Sequence, residues 1–178
     1  MGSEIRIQSY ILGGKLTNTK HTLVALVEDK PGVLNRIASL FRRRAFNIQS
    51  LAVGSSEHPG LSRMTTVVIG DSAQLEQVRK QLEKLINVVK VSDITEENMV
   101  TRELALIKVK ASASTRSEIM QIVDIFRSNI VDVAPGSLTV EVTGDEDKVN
   151  SLLGLLRDFG IKELSRTGSI ALTRGNGS

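Results

Sequence analysis

The sequence predicts an α+β protein built from two successive βαββαβ units. Two observations support this prediction. Apolar residues occur in short β-branched segments, and these alternate with longer segments in which apolar residues recur at helical spacing. The order of segments in the first half of the chain is repeated in the second half. At 178 residues, the chain is long enough for two small domains, each with its own core.

The first half contains the segments of one complete unit. Its strands are rich in β-branched residues, its helices have one apolar face, and a Pro-Gly turn separates its two central strands. The predicted elements are a strand at residues 21–28, a helix at 33–43, strands at 46–55 and 61–69, a helix at 75–85 and a strand at 88–94.

The second half repeats this order, and Gly168 interrupts its last segment. Right-handed crossovers place both helices of such a unit on the same side of its antiparallel sheet, so each unit is expected to be a ferredoxin-like sandwich. The predicted elements are a strand at residues 104–109, a helix at 119–126, strands at 130–133 and 138–142, a helix at 149–156 and an extended segment at 161–172.

The division into domains follows from this repeat. We expect one domain at residues 21–95 and a second at 102–174. Residues 96–101 are polar and lack periodicity, which is typical of a linker. Residues 1–20 have no counterpart in the repeat and remain an unassigned N-terminal extension.

The first strand also predicts a homodimer. Both of its faces are apolar, since Leu23 and Ala25 alternate with Val24 and Leu26. The helix-free face of the first sheet should therefore be buried as well. We expect a second copy of the chain to cover this face and to pair with the open edge strands.

The composition argues against several kinds of catalytic site. There is no cysteine, and the two histidines, His21 and His58, are far apart and lack the spacing of metal ligands. No phosphate-binding loop, dinucleotide motif or nucleophile motif is present. We therefore expect no catalytic residue, no metal and no cofactor in this chain.

The composition also bears on location and partners. No apolar run approaches the roughly 18 residues of a membrane span, and residues 1–20 do not resemble a signal peptide. We expect a cytoplasmic protein, or a stromal one if a plastid transit peptide has been removed, that does not bind membranes.

RNA-binding domains can share the βαββαβ pattern, but they stack bases on aromatic residues of their central strands, and residues 61–69 contain no aromatic residue. We expect no nucleic-acid partner.

The predicted turn before the first helix is the most informative segment. The first turn of a helix exposes unpaired backbone N–H groups and a partial positive charge, which together bind carboxylates. A neighbouring aspartate can accept an ammonium group, as a bound amino acid requires. A Pro-Gly turn with an acidic helix cap explains the same residues, and this structural alternative stays open. The residues of the ligand hypothesis are Asp29, Gly32, Val33, Leu34, Asn47 and Ile48.

Longer runs of sequence carry a family resemblance. Asp-Lys-Pro-Gly-Val-Leu at residues 29–34 resembles the ACT domain, a module that senses amino acids at subunit interfaces. The chain as a whole, over residues 21–174, is similar to the small-subunit family of acetolactate synthase (acetohydroxyacid synthase). The runs that carry this similarity are residues 43–54, 61–65, 102–109, 130–133 and 166–172.

The resemblance implies a function and a set of partners. Members of this family bind a catalytic large subunit that uses thiamine diphosphate, Mg²⁺ and FAD, stimulate it, and confer feedback inhibition by valine or a related branched-chain amino acid. Several members have asparagine in place of Asp29. An amino-acid sensor for another biosynthetic enzyme is the alternative, because its binding turn would follow the same physics. The effector residues that the resemblance implies are Asp29, Gly32, Val33, Leu34, Asn35, Asn47 and Ile48.

The second unit does not repeat the binding turn. It has Ala-Ser-Thr-Arg at residues 113–116, where the first unit has Asp-Lys-Pro-Gly. We therefore expect one effector turn per chain.

Overall fold

The structure is a computed structural model that describes residues 19–43 and 46–175. The predicted fold class is confirmed, since both halves form βαββαβ units. The first unit consists of β1 (Thr19–Glu28), α1 (Val33–Arg43), β2 (Asn47–Ser55), β3 (Leu61–Gly70), α2 (Ser72–Leu82) and β4 (Val88–Asp93). The second consists of β5 (Met99–Lys110), α3 (Arg116–Ile125), β6 (Asn129–Ala134), β7 (Ser137–Gly144), α4 (Glu146–Leu156), a 3₁₀ turn (Arg157–Phe159), β8 (Ile161–Arg166) and β9 (Ile170–Thr173).

Both sheets have the same antiparallel strand order. The first runs β2-β3-β1-β4 and the second runs β6-β7-β5-β8, so that β2 and β6 are corresponding edge strands. The strand β9 is an addition to the second unit, and it pairs with the first residues of β5. It is separated from β8 at Gly168, where the sequence predicts an interruption and where φ is +79°.

Each unit has its own core, which forms between the buried face of its sheet and the apolar faces of its two helices. In β1, Leu23, Ala25 and Val27 point to the helices and are buried. Helix α1 buries residues at helical spacing against them, and α2 does the same with Leu75 and Val78. The second unit forms a separate core by the same rule, from alternate residues of β5 and β7 and the inner faces of α3 and α4.

The helix-free face of the first sheet is covered in a way that the sequence analysis did not predict. Val24 packs against Ile94 and Ala171, and Met99 lies beside them. At least part of the cover therefore comes from the chain's own ribbon of β5 and β9, whereas the sequence analysis expected a second copy to provide it. The strand β5 begins at Met99, so residues 99–101, which the sequence analysis placed in the linker, belong to β5.

Asp side chains cap two of the helices. Oδ1 of Asp71 accepts a hydrogen bond from the backbone N–H of Ala73 at 2.8 Å, and Oδ1 of Asp145 accepts one from that of Lys148 at 2.9 Å.

Within the part of the chain that the structure describes, no helix is both long and apolar enough to cross a membrane.

Candidate functional site

The turn between β1 and α1 is anchored by a backbone hydrogen bond and contains a glycine with open space beside it. The backbone N–H of Asp29 donates to the carbonyl of Gly60 at 2.9 Å, which ties the turn to the β2–β3 hairpin. Gly32 has φ +87°, a left-handed conformation that suits glycine. A Cβ atom at Gly32 would meet nothing within 4 Å, so the space beside this backbone is open.

Helix α1 leaves hydrogen-bond donors free at its start. The N–H of Val33 donates to the carbonyl of Lys30 at the long distance of 3.4 Å. Among the described residues, no acceptor binds the backbone N–H of Leu34 or Asn35. These donors, at the positive end of the helix dipole, form the kind of site that binds a carboxylate.

The predicted residues of α1 contribute in different ways. The side chain of Val33 is only 4% exposed and belongs to the core, so that Val33 can offer a ligand only its backbone. The side chain of Leu34 is 44% exposed and presents an apolar surface beside the free donors. Asn35 is exposed. Asp29 is also exposed, and its carboxylate has no hydrogen bond or ion pair with another described residue.

A polar network that the sequence analysis missed surrounds the turn. The side-chain amide of Asn87 donates to Oε2 of Glu28 at 2.6 Å and accepts from Arg36 at 2.8 Å. Lys30 lies 3.1 Å from the same carboxylate oxygen. The amide of Asn87, together with Lys30, holds the pKa of Glu28 below its ordinary value. Lys30 and Arg36 are thus engaged by this network, which leaves the charge of Asp29 available.

A single chain does not bring all the predicted site residues together. Asp29 follows the last residue of β1, whereas Asn47 pairs with Ile69, which in turn pairs with Lys20 at the start of β1. Asn47 and Ile48 therefore lie at the opposite end of the sheet. The length of β1 separates the two groups by roughly 30 Å.

An open apolar surface runs between these two groups. Strand β2 is an edge of the sheet, so one side of its backbone is unpaired. Leu51 and Val53 project from β2 toward the helix-covered face, as their pairing with Thr66 and Met64 requires. They are 42% and 41% exposed, and we refer to these two residues and the exposed Leu34 of α1 as the β2–α1 patch.

In the corresponding turn of the second unit, side-chain hydroxyls bind backbone N–H groups of the turn. The hydroxyl of Thr115 accepts the backbone N–H of Ser112 at 3.0 Å, and the hydroxyl of Ser112 accepts that of Thr115 at 3.2 Å. Among the described residues, no side chain of the first turn, residues 29–32, binds the backbone of its own turn in this way. In the described part of the chain, no group of three or more His, Asp or Glu side chains is placed to hold a metal ion.

Comparisons with known proteins identify the family of both units. The family described as "AHAS small subunit-like ACT domain" matches residues 23–90, and the family "Small subunit of acetolactate synthase" matches residues 102–175. A probable acetolactate synthase small subunit of Archaeoglobus fulgidus is 59% identical over 157 residues, which are 88% of this chain and 98% of that protein. The acetolactate synthase small subunit of Mycobacterium bovis is 55% identical over 155 residues, 87% of this chain and 92% of that protein.

A solved structure is also similar. The crystal structure of the acetolactate synthase small subunit from Thermotoga maritima superimposes with a TM-score of 0.82 at 44% sequence identity. The match covers 89% of this chain and 99% of that one, so it includes both units.

Proposed function

Because the chain belongs to the acetolactate synthase small-subunit family, we propose that it regulates the catalytic subunit of that enzyme in response to a branched-chain amino acid. The chain stimulates the catalytic subunit and confers feedback inhibition by valine or a related amino acid. Thiamine diphosphate, Mg²⁺ and FAD belong to the catalytic subunit. The observation that carries the proposal is the start of α1 and the turn before it, residues 29–35, where free helix donors and a free carboxylate occur together.

The turn offers a complementary group for each charged end of an amino acid. The unpaired N–H groups of Leu34 and Asn35 receive the carboxylate, and Gly32 lets the ligand approach the backbone closely. Asp29 receives the ammonium group through a charge-assisted hydrogen bond. The exposed side chain of Leu34 favours an aliphatic ligand over a polar one.

A second copy of the chain completes this site in our proposal. If two β2 strands paired antiparallel about Leu51, Asn47 of one copy would lie opposite Ser55 of the other, at the end where the turn lies. Asn47 and Ile48 of one copy would then join Asp29 and Gly32 of the other. The same pairing would cover the β2–α1 patch and satisfy the open edge of β2.

The proposed role is tested by mixing the purified chain with its cognate catalytic subunit. We expect the chain alone to make no acetolactate from pyruvate, to raise the activity of the catalytic subunit when added, and to make that activity sensitive to valine. Turnover by the chain alone, or unchanged activity of the catalytic subunit, would contradict the proposal.

Light scattering tests the proposed dimer. At tens of micromolar, the purified chain should have the mass of a dimer, and a monomeric mass both with and without valine would exclude the composite site.

A further inference from the structure

The start of β2 contains a β-bulge beside the proposed effector site. The pairing of β2 with β3 shifts between Ile48 and Ser50, which makes Gln49 the extra residue. Bulges redirect side chains, and they are common next to functional sites. Gln49 directly follows Asn47 and Ile48 in the chain.

The bulge residue contacts the second unit. The side-chain amide of Gln49 donates a hydrogen bond of 3.1 Å to Oε1 of Glu146, the first residue of α4. The other carboxylate oxygen of Glu146 forms an ion pair with Lys20, near the start of β1. Glu146 therefore joins α4 to the beginnings of two strands of the first sheet.

The connection between β8 and β9 also lies against β2. The backbone N–H of Ser169 donates to the hydroxyl of Ser50 at 2.8 Å. Gly168 has φ +79°, and a Cβ atom there would lie 2.7 Å from the same hydroxyl, so only glycine fits this approach. Next to it, the hydroxyl of Thr167 accepts the backbone N–H of Leu104 at 3.1 Å, which fixes the connection to β5.

The second unit holds this connection firmly. Arg166, which precedes it, forms an ion pair with the buried carboxylate of Glu103 in β5. The same guanidinium donates to Oδ1 of Asn150 in α4 at 3.0 Å. The similarity run at residues 166–172 thus contains the residues that fasten the second unit to β2, a role that the sequence analysis did not assign to it.

We infer that the contacts of Gln49 with Glu146 and of Ser50 with Ser169 transmit effector occupancy from the first unit to the second. This inference rests on the proposed function, since it requires an effector at Asn47 and Ile48. Gln49 and Ser50 are the residues of β2 that directly follow Asn47 and Ile48, so a shift of the first pair moves the pair that contacts the second unit. The two contacts convert that shift into a movement of α4 and the β8–β9 connection.

The variant Glu146→Ala tests the inference, because Glu146 lies outside the effector turn. With the variant, we expect the half-inhibitory valine concentration of the reconstituted enzyme to rise at least about fivefold, while the dissociation constant of valine for the isolated chain changes less than about twofold. Hydrogen exchange should show valine-dependent protection at residues 167–169 in the wild-type chain and its loss in the variant. Asp147→Ala, an adjacent exposed carboxylate in the same helical turn, is the matched control and should behave as wild type.

The outcomes separate the two proposals. Wild-type sensitivity of the Glu146→Ala enzyme to valine, together with unchanged binding, would overturn the inference and leave the proposed function standing. Failure of the wild-type chain to bind any branched-chain amino acid would overturn both. If circular dichroism showed Glu146→Ala to be unfolded, Gln49→Ala would replace it, since it removes the donor of the same hydrogen bond and leaves the ion pair of Glu146 with Lys20 in place. Full valine sensitivity of that variant would equally overturn the inference.

Discussion

The variant Gly32→Asp is expected to bind valine at least about 30-fold more weakly than the wild type while still stimulating the catalytic subunit. The new carboxylate would stand where the ligand's carboxylate approaches the backbone. Two like charges about 4 Å apart repel by roughly 4 kcal/mol at an effective dielectric constant near 20. Even if movement of the side chain relieves half of this, the remaining 2 kcal/mol corresponds to about 30-fold in the dissociation constant. Calorimetry on the isolated chain and valine titration of the reconstituted enzyme measure the two effects.

The control variant for Gly32→Asp has to tolerate the left-handed backbone conformation of Gly32. Because φ is +87°, any side chain there is strained, and alanine would mix this strain with the loss of binding. Asparagine has the shape of aspartate, tolerates the left-handed region, and carries no charge. Gly32→Asn should therefore share the strain and bind valine more tightly than Gly32→Asp. Equal affinity of the two variants would mean that no ligand carboxylate approaches this position.

Removal of the Asp29 carboxylate is expected to weaken effector binding by about 10-fold to 150-fold. A charge-assisted hydrogen bond contributes roughly 1.5 to 3 kcal/mol, and about 1.4 kcal/mol corresponds to a factor of ten in affinity. The fold should survive in Asp29→Ala, because the hydrogen bond that ties the turn to Gly60 comes from the backbone. Calorimetric titration with valine, leucine and isoleucine gives the dissociation constants.

Asp29→Asn is the matched control for this prediction. It keeps an acceptor for the ammonium group and loses only the charge, so its affinity should lie between those of the wild type and Asp29→Ala. Unchanged binding by Asp29→Ala, with a native circular dichroism spectrum, would limit Asp29 to a structural role in the turn.

Most of the fold could be predicted because local periodicity determines it. The alternation of Leu23, Ala25 and Val27 predicts a strand with one buried face. The helical spacing of Val33, Ile37 and Leu40 gives the correct helix in the same way, and all of these residues are buried. The ribbon of β5 and β9 could not be predicted, since its cover over Val24 depends on how the two units pack, and no local pattern encodes this.

The candidate site could be predicted only in part. The Pro-Gly pair and the helix start are local signals, and they identified the turn at residues 29–32. The register of β3 determines that Asn47 lies at the far end of the sheet, and register follows from packing across three strands. The network of Glu28 and Asn87 joins residues that are 59 positions apart, so spacing gave no sign of it.

In the proposed dimer, two copies of the chain build each effector site together, and a mixed dimer is the sharpest test of this arrangement. In a dimer with Asp29→Ala in one copy and Asn47→Ala in the other, one site carries both substitutions and the other carries neither. Such a dimer can be purified with two different affinity tags. Calorimetry should find about one site per mixed dimer with wild-type affinity for valine, although each variant alone binds weakly at both sites. If the mixed dimer had only weak sites, Asp29 and Asn47 would not act across a shared interface, and the composite site would be contradicted.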